Sequence, residues 1–310
     1  MSNAPLILLS HSMLAPVEFA LTAAGYRVAR GWELEDGQKA EIRAIVHAGE
    51  FVLTPDFLKS LPQLGLIANI SAGYDGVNVP WCRENGIEVT HSQGGNADDV
   101  ADQAMGLLIG AWRDIVKGDR VVREGRWNNA DRMGPRPGLS GRKVGIMGLG
   151  HIGKAVARRC EAFDMKVSWW GPNPKPDIAW PRAETLLDLA TDCDILVVAC
   201  RADVSNRGAV SEAVIKAVGP RGMIVNVSRG SVIDEEALIV ALKAGELGRA
   251  ALDVFAQEPT PPERWADVPN TVLTPHTAGG TVDSIPRMVA QALENVRLFL
   301  AGEPVITPAT

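Results

Sequence analysis

A chain of 310 residues is long enough for two domains, and 46% hydrophobic residues with a mean hydropathy of +0.03 give each a substantial core without the composition of a membrane-spanning chain. A net charge of −6, a pI near 5.5 and the lack of any long Lys/Arg run exclude nucleic acid or an anionic membrane as the main partner and favour a small molecule. Four scattered cysteines (Cys82, Cys160, Cys193, Cys200), none at C-x-x-C spacing, fit reduced thiols in a cytoplasmic protein rather than a disulfide scaffold or a metal site.

The first residues carry no basic group ahead of a short apolar run, so Leu6–Leu9 reads as a first strand rather than part of a signal peptide. Apolar strands then alternate with helical patterns: Leu14–Ala24, Ala44–His47, Pro55–Leu61, Leu66–Ile70, Pro80–Asn85 and Ile87–Thr90. Such βαβα repetition predicts a parallel sheet covered by helices. The turn Ser71-Ala72-Gly73 follows a strand, where ligands of open parallel sheets bind, and its small residues leave backbone amides accessible to a carboxylate. A plain turn is the alternative.

Asn96 is placed to cap a long helix over Ala97–Lys117, with Asp98 and Asp99 in its first turn. The pattern loosens over residues 121–141, the crossing between domains. Within it Trp127 is a large aromatic in a polar stretch, and its ring needs a place to bury, either in its own domain or in a partner subunit.

The stretch Lys143–Asp164 organises the second domain. An apolar strand enters a turn with Gly148, Gly150 and Gly153, and Ile152, Val156 and Cys160 then recur at helical spacing. The first glycine permits the turn, the second lets backbone approach a pyrophosphate, and the third lets helix lie close on strand. Dinucleotide phosphates are expected on the helix N-terminus, against the backbone of Gly148, Leu149, Gly150, His151, Ile152 and Gly153. Further strands are expected at Lys166–Trp170, Ile195–Cys200, Met223–Val227, Ala250–Val254 and Thr271–Leu273. The helical pattern Ser284–Leu300 is long enough to return to the first domain. The fold class is therefore α/β, with two parallel-sheet domains: a Rossmann-type cofactor domain over 98–280 inserted in a discontinuous flavodoxin-like substrate domain of 1–97 and 281–310.

An acidic residue that would hold the ribose 2′-hydroxyl of NAD is missing between Asp164 and Asp177, where Asn173 and Lys175 stand instead. A carboxylate would repel a 2′-phosphate, whereas an amide and a cation suit one. NADP(H) is expected over NAD(H), the alternative being an exposed loop whose Lys175 only faces water. Arg229, Glu258 and His276 each follow an apolar strand. Arginine offers a fork of donors to a carboxylate or growing oxyanion, histidine moves protons near neutral pH, and an adjacent carboxylate favours its protonated form.

The segments ISAGYDGVNV, GGNADDVADQAMGLLIGAWR, KVGIMGLGHIGKAVARR, VNVSRGSVIDEEAL, ALDVFAQEP and TPHTAGGT together resemble the D-isomer-specific 2-hydroxyacid dehydrogenase family, most of all its glyoxylate/hydroxypyruvate reductase branch. The resemblance runs nearly end to end. It implies an oxidoreductase that reduces a small 2-keto acid to the D-2-hydroxy acid, with the glycine turn and Asp253 binding NAD(P). It further implies that Arg229 engages the substrate's carboxylate and keto oxygen, His276 is the acid/base, Glu258 is its partner, and Ser71–Gly73 supplies carboxylate-binding amides. A homodimer joined through the cofactor domains is implied too, and in some reductases of this branch a tryptophan placed like Trp127 enters the partner's substrate pocket. Pro172 and His151 depart from arginines common in relatives, while Arg201, where a proline is usual, is a candidate for the adenosine half. A non-catalytic NAD(H) sensor and a formate- or phosphite-type NAD dehydrogenase are the rival readings on the same fold.

Overall fold

The computed structural model describes residues 4–128 and 133–309. The chain forms two compact units, Met1–Asn96 with Val282–Thr310, and Ala97–Thr281. The first carries a five-stranded, wholly parallel sheet of β1 (Leu6–Leu9), β2 (Arg27–Arg30), β3 (Ile42–His47), β4 (Leu66–Asn69) and β5 (Glu88–Thr90), in the order β2-β1-β3-β4-β5. The apolar runs are continuous because both faces are covered. Leu6 and Leu8 join one core layer with Ile42, Ile45 and Ile67; Ile7 and Leu9 turn to the other, with Val46, Ala68 and the helix Ser284–Ala301 through Ala292 and Val296. A Cβ at Gly65, just before β4, would stand 2.5 Å from the Phe299 ring, so glycine lets that helix sit down on the sheet.

The second unit holds six parallel strands: β6 (Lys143–Met147), β7 (Lys166–Trp170), β8 (Ile195–Val198), β9 (Met223–Asn226), β10 (Arg249–Leu252) and β11 (Thr271–Leu273), ordered β11-β10-β9-β8-β6-β7. One face packs on the helices Ala97–Trp112 and His151–Ala162 through Val144, Ile146, Val197 and Val225. The other packs on Leu186–Asp192, Glu212–Val218 and Glu235–Ala244 through Met147, Leu196, Val198 and Ile224. Each fully buried Leu, Ile or Val contributes about 1.5–3 kcal/mol.

Three local features differ from the sequence reading. The edge strand β2 was not expected. The long helix is two, Ala97–Trp112 and Ile115–Arg123, because Asp114 takes a left-handed φ of +54°, paired with Arg136 at 2.6 Å and Arg249 at 4.0 Å. Asn96 does not cap through its side-chain oxygen, which is buried and accepts no hydrogen bond among the described residues. Among those residues no helix is long and apolar enough to cross a membrane, and no His/Cys/Asp/Glu group could hold a metal ion.

Candidate active site

The glycine turn, Asn173, Lys175, Arg201, Arg229, Asp253, Glu258 and His276 all lie beyond the carboxyl ends of strands of one parallel sheet, the edge where ligands of such sheets bind. After β6, Gly148 has φ +92°, and a Cβ on it would come within 2.4 Å of the Cα of Cys200. A Cβ on Gly153 would sit 2.1 Å from the Gly148 carbonyl oxygen, which makes this the close helix–strand crossing. A Cβ on Gly150 would meet nothing within 4 Å, so the open space beside it is a cradle that a side chain would fill. Gly150 caps the helix His151–Ala162 without any side-chain bond, and the helix's first backbone bond runs from Lys154 N–H to Gly150 O at 3.0 Å. The amides of His151, Ile152 and Gly153 thus point outward with no intrahelical acceptor, and they suit a pyrophosphate. Leu149 contributes only backbone there, since its side chain lies in the core at 2% exposure.

Past β7, Asn173 and Lys175 are exposed, and past β8 Arg201 is exposed and pairs with Asp203 at 3.5 Å. Past β9, the buried Asn226 shapes the turn: its Nδ2 donates to Arg229 O at 3.0 Å, and its Oδ1 accepts Ser228 N–H at 3.0 Å. Arg229 is half-buried, with Nη1 donating to Ser228 O at 2.9 Å. Gly230 behind it permits contact with the loop after β10, because a Cβ would overlap Phe255.

That loop brings Glu258 round. Its Oε1 accepts Phe255 N–H at 2.9 Å, and its Oε2 lies 2.6 Å from Nδ1 of His276. Burial pushes the Glu258 carboxyl up, but the hydrogen bond with His276, the Phe255 amide and the charges of His276 and Arg229 outweigh it and hold the group below its ordinary value. The charge of Arg229 is therefore felt at the Glu258–His276 pair.

His276 has a left-handed φ of +52°, uncommon for a residue with a Cβ. Asp253, 1% exposed, imposes it: its carbonyl accepts His276 N–H at 2.8 Å, while its carboxylate accepts Thr274 Oγ1 at 2.6 Å, Thr277 N–H at 3.0 Å and Ala278 N–H at 2.9 Å. Asp253, expected at the cofactor, is thus seen holding the histidine loop. Sequence reasoning missed this role, and also Glu235, buried behind the loop, which accepts Ala256 N–H at 2.7 Å and pairs with Arg264 at 2.5 Å. Gln103, likewise missed, donates to Thr274 Oγ1 at 3.2 Å.

In the first unit the Ser71 hydroxyl donates to Gly73 O and accepts Gly49 N–H, both at 2.8 Å, tying the turn to the 48–53 loop. Among the described residues the Ser71, Ala72 and Gly73 amides donate to no protein acceptor, the state an anion-binding turn requires. Residues 129–132, just after Trp127, lie outside the described residues.

An open glycine turn, uncommitted helix-end amides and a carboxylate–histidine pair beside an arginine define a nicotinamide-dinucleotide oxidoreductase. Residues 105–278 match the family described as D-isomer specific 2-hydroxyacid dehydrogenase, NAD binding domain. The chain belongs to that family, and its relatives place it in the glyoxylate/hydroxypyruvate reductase-like branch. It is 38% identical over 275 residues to a glyoxylate/hydroxypyruvate reductase A of Arabidopsis thaliana, covering 89% of this chain and 88% of that one. Among solved structures it is similar to a 2-hydroxyacid dehydrogenase of Ketogulonicigenium vulgare Y25 (37% identity, TM-score 0.90, 100% of this chain and 99% of that one). It is also similar to an NADPH-dependent glyoxylate/hydroxypyruvate reductase of Sinorhizobium meliloti in complex with NADP and malonate (32%, TM-score 0.91, 99% and 97%).

Proposed function

We propose that the enzyme reduces a small 2-keto acid, such as glyoxylate or hydroxypyruvate, to the D-2-hydroxy acid, with NADPH preferred to NADH. The observation that carries this reading is the placement of Arg229, Glu258 and His276 after three successive strands of the sheet whose glycine turn fits the cofactor. The bound nicotinamide supplies the hydride that adds to the keto carbon. Arg229 binds the substrate's carboxylate and stabilises charge growing on the keto oxygen, a contribution of ~10²–10³ in rate for such placed donors. With Nδ1 engaged by Glu258, His276 delivers the proton to that oxygen from Nε2 and is reprotonated from solvent. In the first unit, the amides of the Ser71–Gly73 turn are suited to a carboxylate. The products are the hydroxy acid and NADP⁺.

Asn173, Lys175 and the missing carboxylate after β7 support the NADPH preference, as does the NADPH-dependent relative from Sinorhizobium meliloti. The exposed apolar groups Ile115, Val122 and Trp127, which follow one another in the cofactor domain, support a homodimer through that domain. Four free cysteines support a reducing cytoplasm. Initial rates with NADPH and NADH against glyoxylate, hydroxypyruvate, pyruvate and phenylpyruvate test the reading. Turnover of none of them by folded, cofactor-bound protein would overturn it in favour of a sensor.

A further inference from the structure

β7 is the outermost strand of its sheet, yet its free edge is partly covered by the segment Pro181–Ala183. Trp169 N–H donates to Pro181 O at 2.9 Å, and Ala183 N–H donates to Trp169 O at 2.8 Å, a single parallel bridge that sets Arg182 beside Trp169. Because the segment runs parallel to β7, the Arg182 side chain reaches the strand's carboxyl end. Its guanidinium lies 5.8 Å from the centre of the Trp169 ring, and Nη2 donates to Gly171 O at 2.8 Å. Gly171 opens the turn where a carboxylate would meet the adenosine ribose in an NAD enzyme.

Three observations make this arginine more than a tie. The two backbone bonds already fix the segment to the strand, so the side chain is not needed for that. No carboxylate among the described residues lies within ion-pair distance of its guanidinium, although the chain carries a net charge of −6. One of its five N–H donors is spent on Gly171 O, which pins the planar group, and the rest can serve a ligand. A pinned cation fork at the ribose end of a dinucleotide site suits a phosphate monoester.

We propose that Arg182 reads the 2′-phosphate of NADPH in this chain, reaching from outside β7 to the place that Pro172 leaves without a cation. The proposal rests on the NADPH reading above and deepens it. Lys175, on the exposed turn after β7, adds a second positive charge.

The test is isothermal titration of full-length wild type, Arg182→Gln and Arg182→Lys with adenosine 2′,5′-bisphosphate and with 5′-AMP, which differ only in the 2′-phosphate. Wild type should bind the bisphosphate at least about tenfold more tightly. Arg182→Gln should lose about tenfold or more for the bisphosphate and almost nothing for 5′-AMP, while Arg182→Lys, which keeps the charge but not the fork, should fall between. Equal losses for both ligands, or an unchanged ratio in Arg182→Gln, would reduce Arg182 to a structural tie and overturn the proposal while leaving the NADPH preference standing. A wild type that cannot tell the two ligands apart would instead bring down the NADPH reading, and the proposal with it.

Discussion

Nδ1 of His276 lies 2.6 Å from a Glu258 oxygen whose twin is occupied by the Phe255 amide, so the carboxylate is fixed before it touches the histidine. A carboxylate so placed favours the imidazolium, the form that can donate a proton during reduction. Glu258→Gln should therefore move the alkaline limb of the reduction rate to lower pH and lower the rate at neutral pH, with cofactor affinity retained. The same pairing has a stability consequence. Because the folded-state value of Glu258 lies below its ordinary 4.5, its contribution is present above about that pH and is lost as pH falls below it, so thermal melts of the variant should show a shallower acid decline. A pH–rate profile identical to wild type would mean that Glu258 does not set the proton affinity of His276.

Asp253 acts on the same histidine through the backbone. Its carboxylate accepts three hydrogen bonds from the 274–278 loop, and an amide in its place would turn donors toward donors. Asp253→Asn should lower stability by about 2 kcal/mol and reduce kcat, with NADPH Kd within about twofold of wild type. A raised NADPH Kd at unchanged kcat would instead mark Asp253 as a cofactor ligand.

Much of this arrangement is legible in the sequence because the local signals agree. Ten of the eleven strands announce themselves as apolar runs, and Arg229, Glu258 and His276 each follow such a run within a few residues. What escapes is set by distant chain. β2 reads RVAR and buries Ala29 but leaves both arginines exposed, so an edge strand carries too little apolar pattern to be seen. The break at Asp114 depends on arginines 22 and 135 residues downstream (136 − 114 and 249 − 114). Arg182 owes its place to a bridge with Trp169 that no spacing rule encodes. Asp253 looks like any polar residue after a strand until its amide partners are known.

The first unit contains a buried histidine that should be visible in acid. His47 is fully buried, with Nδ1 2.7 Å from Ser10 Oγ and Nε2 3.0 Å from Phe51 O, so the carbonyl requires hydrogen on Nε2 and Nδ1 accepts from the hydroxyl. Burial lowers its pKa to about 4, the Phe51 bond opposing in part and His11 adding to the fall. Above pH 6.5, the ordinary value, both folded and unfolded chains carry it neutral. Between about 6.5 and 4 the unfolded chain takes up a proton that the folded chain refuses, so stability should fall over that window by ~3 kcal/mol. Thermal melts from pH 7 to pH 4 should show this decline, and His47→Gln should flatten it. An equal slope in the variant would assign the decline to other groups.

Trp127 offers the sharpest test of a site shared between subunits. Its ring is 66% exposed, so its own chain does not supply the burial that so large an aromatic seeks among the described residues. If the proposed homodimer forms through the cofactor domains, the partner subunit would supply it. If the ring lines the partner's substrate site, Trp127→Ala should raise KM for bulky 2-keto acids such as phenylpyruvate several-fold, or change their ranking against glyoxylate. NADPH affinity should stay near wild type, and thermal stability should change by less than about 1 kcal/mol, as for a group outside its own core. Sedimentation of the variant separates the remaining routes. A dimer with altered substrate ranking supports the shared site, whereas a monomer would give the ring an interface role alone. Wild-type kinetics with a large fall in Tm would place its burial within a single subunit, against the exposure seen here.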